Sequence, residues 1–118
     1  MPFRFKKFRV YEEAKRFCKL CRDITQRDIK PQYKELASQI ERALISIVLN
    51  IAEGSADSSD LEFRRFLGIS IRSAYELVAA FDLAMLHGMI RADDFAKIES
   101  EAEELVKQLS AFRNSLQP

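Results

Sequence analysis

Glycine and proline are scarce in this chain, three of each in 118 residues, and it holds one histidine, two cysteines and no tryptophan. So few Gly and Pro leave too little punctuation for the tight reversals of a β-sandwich or barrel, and long helices are the natural expectation. Two cysteines cannot frame a domain of this size with disulfides, which fits a reducing compartment and a cytoplasmic protein. No window approaches the roughly 18 uninterrupted apolar residues of a membrane span. The opening Met1-Pro2-Phe3-Arg4-Phe5-Lys6-Lys7 also lacks the apolar stretch of a signal peptide, so no membrane partner is expected. Net charge is nearly absent as well, at +1. What is present is a 47% hydrophobic and 31% charged composition. That excludes disorder for most of the chain and suits one domain over residues 1–118.

The lone histidine, His87, removes several chemistries at once. Cys18 and Cys21 have no second pair of Cys or His to complete a zinc site, and no strand precedes them as a thioredoxin-like site requires. A di-iron bundle needs Glu-x-x-His pairs, and none occurs. A helical ribonuclease with an Arg shortly before its His would need a cation near positions 81–83, which hold Phe81, Asp82 and Leu83. We expect no metal, no cofactor, no catalytic residue and no enzymatic activity. The two thiols fall on the apolar side of a helix and read as core packing.

Four helices can be read from periodicity. In the first, Val10 to Asp28, residues Val10, Ala14, Phe17, Cys18, Cys21 and Ile24 share one side, with Lys15, Arg16, Lys19 and Arg22 opposite. Asp28-Ile29-Lys30-Pro31 ends it, and the second helix starts near Pro31 and runs to about Glu53. Gly54 is placed as its left-handed C′ residue. Ser59 with Glu62 matches a capping box and opens the third helix, which His87-Gly88 closes. The fourth begins near Ala92, with Asp93 and Asp94 at the positive end of its dipole. Its apolar residues Phe95, Ile98, Ala102, Leu105, Leu109, Phe112 and Leu116 recur at alternating spacings of 3 and 4. Short connections between these helices predict an all-α, up-down-up-down antiparallel four-helix bundle.

Two helices are apolar beyond what a monomeric bundle needs. The second adds Ile45, Val48, Leu49 and Ala52 to its core stripe, and the third adds Ala79, Leu83 and Leu86. Such excess predicts a homo-oligomer joined through these two helices. A narrow polar sector remains on the second helix, made by Glu35, Gln39, Arg42, Ser46, Asn50 and Glu53. Together with Glu76 it reads as a polar network that fixes register, or else a small polar pocket or solvated stripe.

The near-zero net charge is a cancellation, because residues 1–34 carry +7 and residues 35–118 carry −6. The N-terminal arm, residues 1–9, interleaves Phe3, Phe5 and Phe8 with Arg4, Lys6, Lys7 and Arg9. Aromatics can stack on bases while cations neutralise phosphates. The candidate nucleic-acid-binding residues are therefore Arg4, Lys6, Lys7, Arg9, Lys15, Arg16, Lys19 and Arg22, facing RNA or DNA. The alternative is an edge whose aromatics pack on the core while its cations serve a protein–protein adaptor.

The block Gln39-Ile40-Glu41-Arg42-Ala43-Leu44-Ile45-Ser46-Ile47-Val48-Leu49-Asn50-Ile51-Ala52-Glu53-Gly54 resembles a bacterial signature, Gln-x-x-Arg-Ala-x-x-Ser-Ile-x-x-Asn-Ile-Ala-Glu-Gly. It belongs to the four-helix-bundle proteins encoded by intervening sequences within 23S rRNA genes. Glu62-Phe63-x-x-Phe66-Leu67, Ser73-x-x-Glu76 and Val10-Tyr11 with Ala14 extend the likeness over roughly residues 3 to 90. Arg72-Ser73 stands where the family often has Gly-Ser, and Ser55-Ala56 where it often has an aromatic-basic pair. The resemblance implies a bundle assembling as a pentameric ring. It also implies kinship with the accessory variability protein of diversity-generating retroelements, which carries a basic surface and binds nucleic acid and a reverse transcriptase. By the same analogy Arg42, Ser46, Asn50, Glu53, Ser73 and Glu76 are the signature polar positions, read here as structural.

Overall fold

A computed structural model describes residues 2–56 and 59–117; Asp57 and Ser58 of the expected polar loop, with Met1 and Pro118, lie outside the described residues. The helices are α1 (Arg9–Asp28), α2 (Lys34–Gly54), α3 (Asp60–Leu86) and α4 (Ala92–Ser115), with no strand among the described residues. Single 3₁₀ turns precede α1 at Arg4–Lys7 and α2 at Pro31–Tyr33. Pro31 therefore opens a short turn and not α2 itself. Each helix packs on its sequence neighbours, α4 closes on α1, and the two diagonal pairs hardly touch. This is the expected antiparallel bundle, 44 × 21 × 20 Å in extent.

The helix ends follow local chemistry. Ser59 Oγ accepts from the Glu62 amide at 3.2 Å, which satisfies one of the free donors of α3. At the other end Gly88 has φ of +74°, Met89 N donates to Ala84 O and Gly88 N to Met85 O, both at 2.9 Å. That is a full Schellman closure on the residue type suited to it. Gly54 departs from expectation. It is the last residue of α2 and its φ is not positive. A Cβ there would lie 2.7 Å from Phe66 Cβ and 2.8 Å from Phe63 Cδ1. Close approach of α3, not a left-handed turn, is what requires glycine at this point.

One contiguous core draws on all four helices, with Phe17, Ile40, Ile47, Ile51, Phe63, Leu67, Leu77, Phe81, Ile98 and Leu109 almost wholly buried. Phe8, Phe63 and Phe112 make an aromatic cluster at one end, with centroids 5.1 to 6.1 Å apart. The cluster seats the N-terminal turn on the bundle. Cys21 is buried and Cys18 half-buried, and burial pushes both thiols up from their ordinary pKa. Both stay protonated and weakly nucleophilic at neutral pH.

Candidate functional site

The basic edge forms where the Arg4–Lys7 turn runs into α1. Phe5 packs edge-on against Tyr11, and Phe8 turns inward onto Phe63 and Phe112. Lys6 and Lys7 are thereby left facing solvent. Arg4 is drawn back: its Nε donates to Ser55 O at 2.7 Å while the guanidinium lies 5.5 Å from the Phe63 ring. It ties the N-terminal turn to the end of α2.

On α1 the cations alternate with carboxylates. Arg9 pairs with Glu13 at 3.5 Å, Lys15 with Glu12 at 3.2 Å, Lys19 with Asp23 at 3.2 Å, and Arg22 reaches Glu41 of α2 at 3.7 Å. Arg16 is exposed and, like Lys6 and Lys7, has no carboxylate within bonding reach among the described residues. Exposed pairs of this kind contribute only about 0–1 kcal/mol, so the paired cations remain exchangeable with phosphate oxygens.

The second cluster is a polar seam along the outside of the α2–α3 contact. Ser46 and Ser73 hydroxyls meet at 2.8 Å, and Asn50 Nδ2 donates to Ser46 O at 2.8 Å and to its Oγ at 3.0 Å. Higher on the seam the Gln39 amide, oriented by its neighbours, donates to Glu76 Oε2 at 3.2 Å and accepts from Arg42 Nη2 at 2.8 Å. Behind it Ser70, fully buried, donates to Ile47 O at 2.7 Å. The seam therefore brings together Arg42, Ser46, Asn50, Ser73 and Glu76 of the signature positions. Glu53 is exposed and makes no such bond among the described residues. Glu53 and Glu76 face solvent and not the apolar surroundings that their neighbours in sequence suggest, because each lies on the outer side of its helix.

Sequence reasoning placed Gln39 in the polar sector without its bridging role, and it missed the role of Ser70. Gln39 bridges the Arg42 and Glu76 side chains, and its place at the head of the signature, one turn before Arg42, was the available signal. Ser70 sits in an otherwise apolar stripe, where its role depends on a carbonyl that only the fold supplies. A third polar contact joins the ends of α1 and α4: Arg27 Nη2 bonds Asp28 and Asp94, each at 2.7 Å. The Arg27 guanidinium holds the Asp28 carboxyl below its ordinary range.

Two apolar faces remain uncovered. On α2, Ile45 and Leu49 are 47% and 50% exposed; on α3, Leu83 and Leu86 are 50% and 77% exposed. Beside the exposed Tyr75 and Ala79, α3 and α4 enclose an open groove of about 430 Å³, with Val78, Phe95, Ala102 and Val106 among its walls and Asp82, Glu99 and Glu103 in its lining. No described group of His, Cys, Asp or Glu is arranged to hold a metal ion, and no described helix is long and apolar enough to cross a membrane.

Comparison with known proteins agrees with this architecture. The family model described as 23S rRNA-intervening sequence protein matches residues 6–111. A solved structure of a protein with unknown function from the S23 ribosomal protein family of Bacteroides thetaiotaomicron superposes with a TM-score of 0.80 at 22% identity, over 88% of this chain and 97% of that one. Likeness at that identity speaks to the fold. No curated protein matches.

Proposed function

The chain belongs to the 23S rRNA-intervening sequence protein family, and from that premise we propose that it is a non-enzymatic, homo-oligomeric bundle that binds RNA through its basic N-terminal edge. The observation that carries the reading is the edge itself. Residues 2–9 hold Arg4, Lys6, Lys7 and Arg9 and no acidic residue. Lys6, Lys7 and Arg16 project into solvent with no described carboxylate to satisfy them. Lys15, Lys19 and Arg22 flank them on α1, in exposed pairs that phosphates can displace. Self-association through the bare faces of α2 and α3, into a pentameric ring in the form the resemblance implies, would repeat this edge around the assembly. Repetition raises avidity without any new contact.

Fluorescence anisotropy with a labelled single-stranded RNA, titrated across salt concentrations, tests the reading. Binding should weaken log-linearly with salt, and alanine at Lys6, Lys7 and Arg16 together should make that slope shallower by about 2, since each phosphate contact on a single strand contributes about 0.7. Absence of binding even at low salt would overturn it. Charge reversal at Lys15 and Lys19 addresses the adaptor alternative, which gains support if assembly is lost while RNA affinity stays the same.

A further inference from the structure

The bare α2 face and the α3–α4 groove do not point the same way. Ile45 borders the α2–α3 seam and Leu49 follows it one turn on, whereas Tyr75 and Ala79 line the α3–α4 groove on the opposite side of α3. An isologous pair, in which one face meets its own copy, would cover one of them and leave the other wet. A heterologous contact covers ridge and groove at once and leaves Leu83 and Leu86, which do not line the groove, outside it.

The two faces also differ in form and charge. The α2 face is a ridge, with Ile45 and Leu49 one turn apart on the outside of the helix. Arg42 stands one turn before Ile45 and is bonded to the neutral Gln39 amide. The α3–α4 face is a groove with an apolar floor and three carboxylates, Asp82, Glu99 and Glu103. Of these only Glu103 has an ion-pair partner among the described residues, Lys107 at a loose 3.8 Å. Around the ridge, Glu41 is occupied by Arg22, while Glu53 lies one turn beyond Leu49. A ridge whose one cation is Arg42, with Glu76 held by the Gln39 amide beside it, thus faces a groove that holds three carboxylates.

We propose that the Ile45–Leu49 ridge of α2 in one copy seats in the α3–α4 groove of the next, with Arg42 meeting the groove's carboxylates. This rests on the self-association in the reading above and specifies its contact. Each subunit then offers one ridge and one groove. Such a head-to-tail contact builds a closed ring or a filament and never stops at a symmetric dimer.

The test uses two variants of the full chain. Leu49→Glu spoils the ridge and Ala79→Glu spoils the groove; both positions are exposed, so the bundle itself should stay folded by circular dichroism. Native mass spectrometry at micromolar concentration should show wild type as a higher assembly and each variant alone as a monomer. An equimolar mixture should give a one-to-one pair and nothing larger, because one intact ridge and one intact groove remain and the second contact sets glutamate against glutamate. Wild-type-like assembly of Ala79→Glu, or a mixture that stays monomeric, overturns this contact while leaving self-association standing. A monomeric wild type overturns both.

Discussion

At the residue scale, glycine separates what packing demands from what local conformation demands. Gly54 is held by Phe63 and Phe66 of α3 and not by its own backbone, since a Cβ would come within 2.8 Å of each ring-bearing side chain. Gly54→Ala should therefore destabilise the fold by about 1–3 kcal/mol, the usual cost of overpacking a filled core. Gly68 is the internal control. It lies in the middle of α3 and a Cβ there would meet nothing nearer than an Arg113 nitrogen at 4.0 Å. Gly68→Ala should stabilise by about 0.5–1 kcal/mol through helix propensity alone. Urea unfolding of the two variants checks both signs. The sequence marked Gly54 as the end of a helix, and that was right, but the reason belonged to a neighbour 9 to 12 residues away in the chain. Local pattern carries no record of such an approach. Ser59, by contrast, was legible as the N-cap of α3, because its cap involves only the next turn, although the Glu62 carboxylate turns to Arg65.

At the element scale the bundle holds together through contacts between ends as well as faces. Arg64 Nη1 donates to Arg113 O at 2.6 Å and to Leu116 O at 3.2 Å, closing the end of α4 against α3. Arg27 does the corresponding work between α1 and α4 through Asp28 and Asp94. The Asp28 carboxyl is held below its ordinary pKa by its hydrogen bond from Arg27. A carboxyl depressed in the folded state adds stability above its unfolded pKa of about 3.9, and that stability vanishes as pH falls through the lower folded value. Melting temperature should thus decline as the solution is acidified below that range, and Asp28→Asn should lower the neutral-pH value while flattening the acid decline. An identical acid profile in the variant would assign the decline to other carboxylates. The four helices and their order were readable from periodicity, because each element has a stripe that must be buried. The Gln39–Arg42–Glu76 bridge was not, because it depends on the axial register of α2 against α3, which no single helix specifies.

At the scale of the whole molecule, charge and apolar surface are distributed unevenly over a slender bundle. Of the +7 of residues 1–34, +5 sits on α1 and its preceding turn and the rest on Lys30 and Lys34, while carboxylates gather on the outer side of α4 and in its groove with α3. The bare groove beside α3 belongs to the acidic pole, and the bare ridge is on α2, which packs against α1. In our reading the apolar faces join copies and the basic edge, left outside that contact, meets the phosphate backbone. The salt dependence of binding belongs to this scale, since several exposed cations acting together set it, and no buried pair does. Surplus apolar surface was visible from helices two and three in the sequence. The groove was not, since its walls come from both α3 and α4. The most direct measurement of the account is sedimentation velocity of the full chain with a fluorescently labelled single-stranded RNA at low salt. We predict that the label moves with a protein species heavier than the monomer and returns to the rate of free RNA when salt is raised; a monomer that leaves the RNA unshifted would contradict the account.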